Sequence, residues 1–247
     1  MGGRTYRLTL CYDGTRYRGW QRLPNCALTV QGKIEEALSG IFGMPIEVSG
    51  SGRTDAGVHA KGQVASFHAP ELPIGDIVPK LRHLLPEDIG VTDLSYAPER
   101  FHARLCAARK TYRYRVWNSV TPDVFERRFR AQLPQPLDVA KMREAAKLLE
   151  GKHDFLGFCA NKHFKKSSAR TLYALTIEQD GNELRFTLTA DGFLYHMARI
   201  LVGTLLEIGG GRRELGTIAE IFEKKNRALA GETAPAKGLC LMEVRYE

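Results

Sequence analysis

The chain has 247 residues, 43% of them apolar and 26% charged, a balance that suits a soluble globular protein. At this length it can bury roughly 70–75% of its unfolded surface in one large or two small units, so no disulfide staple is required. No apolar run approaches the roughly 20 residues of a membrane-spanning helix. The start, Met1-Gly2-Gly3-Arg4-Thr5-Tyr6, lacks the apolar stretch of a signal peptide, which argues against secretion.

The first predicted element is the strand Tyr6–Asp13, alternating with period two and ending at Asp13-Gly14. A loop containing Gly19, Pro24 and Asn25 leads to a helix with Thr29 as N-cap and an apolar stripe of Val30, Ile34, Ala37, Leu38 and Ile41. Gln63–His68 reads as a strand stopped by Pro70. A short helix around Ile77, Leu81, Leu84 and Leu85 ends at Pro86, and a strand near Val91–Ala97 follows. Strand Thr111–Trp117 places Tyr112, Tyr114 and Val116 on one face and Thr111, Arg113, Arg115 and Trp117 on the other. After the Leu133–Pro136 connection, Val139, Met142, Ala145, Ala146 and Leu149 stripe a helix over 138–150 that Gly151 stops. Strands over 171–179 and 183–190 flank the turn Asp180-Gly181-Asn182. Met197, Ile200, Leu201, Thr204, Leu205 and Ile208 mark a helix over about 193–208; a helix over 214–227 and a strand Leu239–Tyr246 close the chain. Strands and helices in this mixed order predict an α+β protein with a largely antiparallel central sheet and flanking helices. Two lobes are expected, 1–105 and 106–247, with a cleft between them.

The net charge of +8, from 36 Lys and Arg against 28 Asp and Glu, favours a polyanionic partner. The five cysteines are odd in number, scattered and without a CxxC pair, as expected of reduced thiols in the cytoplasm; no Cys/His set has zinc-site spacing. The segment richest in chemistry is Gly50-Ser51-Gly52-Arg53-Thr54-Asp55-Ala56-Gly57-Val58-His59-Ala60. Its glycines allow tight backbone and close approach of a ligand. An arginine beside an aspartate in such a loop favours an ionised carboxylate, a competent nucleophile toward an electron-poor carbon. The plain alternative is an Asx-turn with a surface salt bridge. A phosphate loop is disfavoured because no Gly-Lys-[Ser/Thr] ending follows.

That segment resembles the active-site motif of the TruA family of tRNA pseudouridine synthases. Further blocks match in family order. Tyr12-Asp13-Gly14-Thr15 with Tyr17 and Gly19-Trp20-Gln21 comes first, then Phe101-His102-Ala103-Arg104 and Arg109-Lys110-Thr111-Tyr112-Arg113-Tyr114. Gly151–Phe155 with Phe158, Phe193–Arg199 with Val202-Gly203, and Ala234–Leu239 complete the series from about residue 6 to 246. Two small departures, Arg82-His83 where an asparagine is expected nearby and Ala198 for valine, lie away from the proposed chemistry.

The resemblance implies isomerisation of uridine to pseudouridine in the tRNA anticodon arm, at positions 38 to 40, by a homodimer. It implies Asp55 as nucleophile and no cofactor or metal, since one glycosidic bond is exchanged for another. Tyr112 maps to the uridine site, where an extruded base must be held; Arg53 maps to a contact with the flipped nucleotide, and Arg199 to the basic partner of the aspartate. His59 is close enough in sequence to help shape the site. Phosphate contacts are expected from Lys110 and from the cluster Lys162, Lys165, Lys166 and Arg170. Two alternatives stand beside this reading: a non-catalytic RNA-binding protein of the same fold, and a synthase acting on another RNA.

Overall fold

The computed structural model describes residues 3–161 and 167–246. The chain divides into two compact units, residues 1–108 with 241–247, and residues 109–240. The last strand therefore packs with the first unit, although chain order groups it with the second. Ten strands, five α-helices and four short 3-10 helices account for the regular structure of the described residues, in the α+β arrangement expected.

In the first unit the order is β1 (Gly3–Tyr12), α1 (Val30–Phe42), β2 (Ser49–Gly50), β3 (His59–Pro70), α2 (Ile74–Leu84) and β4 (Ile89–Ala97). β1 lies between β3 and β4, antiparallel to both, and β2 adds to β3. The even positions of β1 point into the core: Tyr6, Leu8 and Leu10 are fully buried. Tyr6 stacks on Phe67 of β3 at 4.8 Å, and Phe42 at the end of α1 meets both rings edge-on, which ties helix to sheet. α1 begins where expected because the Thr29 hydroxyl accepts the Gly32 amide, and it stops at Gly43, whose φ of 67° is a left-handed cap. Its buried face differs from the expected stripe. Ile41 is half-buried, while Glu35 is buried, accepting from Gln31 and from the Val48 amide at 2.9 and 3.0 Å. In α2, Leu84 is exposed and the stripe is completed by Leu85, one residue beyond the helix.

The second unit contains most of β5 (Ala107–Trp117), β6 (Ala131–Gln132), α3 (Val139–Leu149), β7 (Gly151–Asp154), β8 (Ala169–Asp180), β9 (Glu183–Ala190), α4 (Met197–Gly209) and α5 (Thr217–Lys224). The final strand is β10 (Leu239–Tyr246), which borders β3 in the first unit's sheet. β5, β9, β8 and β7 run in that order, each antiparallel to the next, and β6 pairs β5 in parallel. Asp180 pairs Glu183, so the hairpin turn is the two residues Gly181-Asn182, with Gly181 at φ 56°. Asp138 caps α3 by accepting the Lys141 amide.

Two helices are shorter than their periodicity predicts. α4 starts at Met197 rather than near 193, because His196 adopts a left-handed conformation (φ 61°) that a continuous helix does not allow. α5 ends at Lys224 because Lys225 is left-handed and Asn226 caps a new one-turn helix by accepting the Ala228 amide. No helix of the described residues is long and apolar enough to cross a membrane.

Candidate active site

Asp55 sits in the irregular loop between β2 and β3, half-buried, with buried Thr54 before it and exposed Arg53 one residue earlier. The loop is seated by the segment that follows β1. The Trp20 amide donates to the Thr54 carbonyl (3.0 Å) and the Gly57 amide to the Tyr17 carbonyl (3.3 Å), while within the loop the Val58 amide closes a turn on the Asp55 carbonyl (3.1 Å). The Tyr12 and Thr54 hydroxyls share a buried hydrogen bond of 2.9 Å. On the other flank, the buried Gln63 amide group donates to the Gly52 carbonyl (3.0 Å), and the Ser51 hydroxyl donates to the Gln63 side-chain oxygen (2.7 Å). Both sides of Asp55 are thus fixed by bonds whose partners are largely removed from water, where such bonds hold most firmly.

Glycines make this seating possible. Gly57 has φ 78°, a conformation that L side chains avoid. A Cβ on Gly14 would lie 2.0 Å from the Val58 carbonyl oxygen, so the one-turn helix Gly14–Arg16 rests directly on the loop's end. Nδ1 of buried His59 lies 3.0 Å from the Gly14 amide and 3.1 Å from the Asp13 carboxylate, two contacts that hold the ring against this turn. Gly14→Ala is accordingly expected to cost about 1–3 kcal/mol, the usual range for overpacking, and to lower activity by more than its effect on global stability explains. Urea unfolding alongside single-turnover rates checks this; a variant as active and as stable as wild type would show that the loop tolerates displacement.

In the second unit, Tyr112 lies on β5, 7% exposed, with the ring of Phe193 packed edge-on at 4.9 Å. At that burial little of the residue is open to solvent. Tyr114, two residues on, is fully buried as expected of a core position, and its hydroxyl donates to the Pro235 carbonyl at 2.8 Å. Arg199 is half-buried in the first turn of α4, and its Nε donates to the Ala234 carbonyl at 2.7 Å. Lys110 is half-buried on β5 opposite Ala190. The Arg170 guanidinium donates to the carbonyls of Ser167 and Ala169 (2.9 and 2.6 Å), a local bracing role. Lys162, Lys165 and Lys166 lie outside the described residues.

The family model described as tRNA pseudouridine synthase matches residues 10–104 and 145–247, a span that includes the Asp55 loop, its seat and α4. This chain belongs to the tRNA pseudouridine synthase family. Relatives carrying the name tRNA pseudouridine synthase A are similar over nearly their whole length. The protein of Moorella thermoacetica is 46% identical over 97% of this chain and 98% of its own. That of Bacillus sp. strain KSM-64 is 43% identical over 98% and 99%, and that of Geobacillus kaustophilus 45% over 96% and 93%. A solved structure titled "Crystal Structure of a Cbf5-Nop10-Gar1 Complex" is similar more loosely, with a TM-score of 0.38 and 12% identity over 96% of this chain and 48% of that one.

The seat of the Asp55 loop is not evident in the sequence of this tRNA pseudouridine synthase. The block Tyr12-Asp13-Gly14-Thr15, Tyr17, Gly19-Trp20 was legible as a pattern; its task of holding residues 54–58 emerges only when β1 and β3 lie side by side. Gln63, the first residue of the strand that the sequence predicts, lies inside a longer β3 and bridges Ser51 and Gly52 of the motif. A buried glutamine facing a glycine-rich loop is the signal that identifies it.

Proposed function

We propose that this chain isomerises uridine to pseudouridine in tRNA, at positions 38 to 40 of the anticodon arm, with Asp55 as the nucleophile. In balance, the glycosidic bond from the sugar to N1 is exchanged for one to C5, the proton on C5 departs and N1 takes one up. Tyr112, Arg53 and Arg199 bind the substrate nucleotide. Lys110 and Arg170, together with Lys162, Lys165 and Lys166, contact the RNA backbone. The observation that carries this reading is the half-buried carboxylate of Asp55 on a loop pinned on both flanks, within a sequence matching synthases end to end. A preorganised nucleophile is what such chemistry demands. The homodimer and the cytoplasmic setting accompany the family resemblance, and five free thiols agree with a reducing compartment.

The test is to incubate unmodified tRNA transcripts with the protein and map pseudouridine at nucleotide resolution. Product confined to the anticodon arm supports the proposal. Product elsewhere assigns another RNA target, and tight binding without product assigns a non-catalytic RNA-binding protein.

Tyr112 needs a gentler probe than truncation, because removing a ring this well buried costs about 3–5 kcal/mol in its own right. Tyr112→Phe keeps the ring and deletes only the hydroxyl. If that hydroxyl takes part in proton transfer, turnover falls by about 10²-fold while tRNA affinity and melting temperature hold. A fully active Tyr112→Phe removes the hydroxyl from the chemistry.

A further inference from the structure

Arg199 is one turn into α4, and what holds its side chain comes from a loop about thirty-five residues further on. The Arg199 Nε donates to the Ala234 carbonyl, and the Ala234 amide donates back to the Arg199 carbonyl at 3.2 Å. A bond through Nε fixes the plane of the guanidinium, and with it the direction of the fork formed by its two terminal nitrogens. The loop over 230–235 thereby sets where this arginine can aim.

That loop is itself bolted to α4. The Gly231 amide donates to the hydroxyl of fully buried Thr204 (2.9 Å), which in turn donates to the Ile200 carbonyl (2.8 Å). One turn on, the Glu232 amide donates to Oε1 of buried Glu207 (2.8 Å), whose Oε2 pairs with Arg213 at 2.7 Å. Arg213 also donates to the Leu229 carbonyl, at the loop's entrance. The backbones touch between these two bonds. A Cβ on Gly203 would lie 1.8 Å from the Glu232 carbonyl oxygen, and one on Gly231 would lie 2.6 Å from the Thr204 Cα. The far end is tied by the Tyr114 hydroxyl to Pro235. Burial alone would raise the Glu207 carboxyl, but the Glu232 amide and Arg213 outweigh it and hold the group below its usual range. These bonds fasten the six-residue connection from its entrance at Leu229 to its end at Pro235, and Ala234, whose carbonyl holds Arg199, lies buried between them.

We propose that Thr204, Glu207 and Gly203 are positioning residues, which clamp the 230–235 loop to α4 so that the Ala234 carbonyl presents the Arg199 guanidinium to the substrate nucleotide in one orientation. The proposal rests on the substrate-binding role of Arg199 given above.

The experiment compares Thr204→Val, which deletes the hydroxyl at nearly constant volume, with Thr204→Ser, which keeps it, in wild-type and Arg199→Ala backgrounds. Single-turnover pseudouridine formation, tRNA affinity and melting temperature are read for each. Thr204→Val is expected to slow the reaction by about 10- to 100-fold, the scale of a misplacement near 1 Å, with tRNA affinity within about twofold. Thr204→Ser should recover most of the rate. In the Arg199→Ala background, Thr204→Val should cost nothing further, because the group it positions is gone. Amide exchange at Gly231 and Ala234 provides a readout without activity: faster in Thr204→Val, near wild type in Thr204→Ser. Losses that add in the double variant, or unchanged exchange and rate in Thr204→Val, overturn the clamp and leave the role of Arg199 standing. A fully active Arg199→Ala removes that role and the clamp with it.

Discussion

Asp55→Asn should reduce pseudouridine formation by at least about 10⁴-fold, the scale seen when a nucleophile is removed, while tRNA binding and folding survive. The substitution is nearly isosteric and leaves in place the main-chain bonds that seat the loop, through the Thr54 carbonyl and the Gly57 amide. What is lost is the anion, and a neutral amide is a poor nucleophile toward either the sugar or the base. Asp55→Glu sharpens the point. It restores the charge on an arm one methylene longer, and because the flanks are pinned the loop cannot retreat to compensate, so activity should stay at least about 10²-fold down. Single-turnover assays with excess enzyme, paired with filter binding of the same transcripts, separate chemistry from affinity. An Asp55→Asn protein within tenfold of wild type would sink the nucleophile assignment; equal loss of binding would recast Asp55 as a substrate-binding group.

The candidate motif stands out in the sequence because its pattern is local: an arginine, a threonine and an aspartate among glycines need no tertiary knowledge to be noticed. Strand β10 was legible to the residue, since an apolar run rich in Leu, Met and Val opens directly after Gly238. The start of α4 was not. Phe193 and Leu194 continue the apolar periodicity, and only the left-handed backbone of His196 breaks it, a conformation that no helix propensity encodes for histidine. Nor were the supports legible. Gln63, Thr204 and Glu207 are ordinary polar residues in ordinary patterns, and their importance lies in being buried opposite backbone groups far along the chain. Arg170 carries a further contact the basic cluster does not reveal: its guanidinium donates to carbonyls of its own segment, which holds the side chain in place.

Glu183 carries the largest stability effect expected away from the chemistry. It opens β9, 4% exposed, and faces three guanidiniums: Arg115 at 2.6 Å, Arg130 at 3.0 Å and Arg185 at 3.0 Å. Burial alone would push its carboxyl up, but the hydrogen bonds from Arg115 and Arg185 and the charges of Arg115 and Arg130 prevail and hold it at about 2, against an ordinary 4.5. A carboxyl depressed on folding contributes stability that is complete above its unfolded value, near 4.5, and is lost as pH falls through that value toward 2. The linkage amounts to about 3 kcal/mol at neutral pH. Glu183→Gln removes the anion and leaves the cations facing one another, so a loss of about 3–5 kcal/mol is expected, lowering the melting temperature by roughly 6–15 °C for a chain of this size. Urea unfolding of both proteins at pH 7, 5, 4 and 3.5 measures the gap, which should be constant at pH 7 and 5 and narrow below 4.5 as the wild type loses what the variant never had. Because Glu183 and Arg115 brace the end of β5 beyond Tyr112, the folded variant should retain its turnover at 25 °C. A gap that stays the same at every pH would mean the charge is not what stabilises this corner, and a stable variant with lost turnover would mean that the network reaches the reacting groups after all.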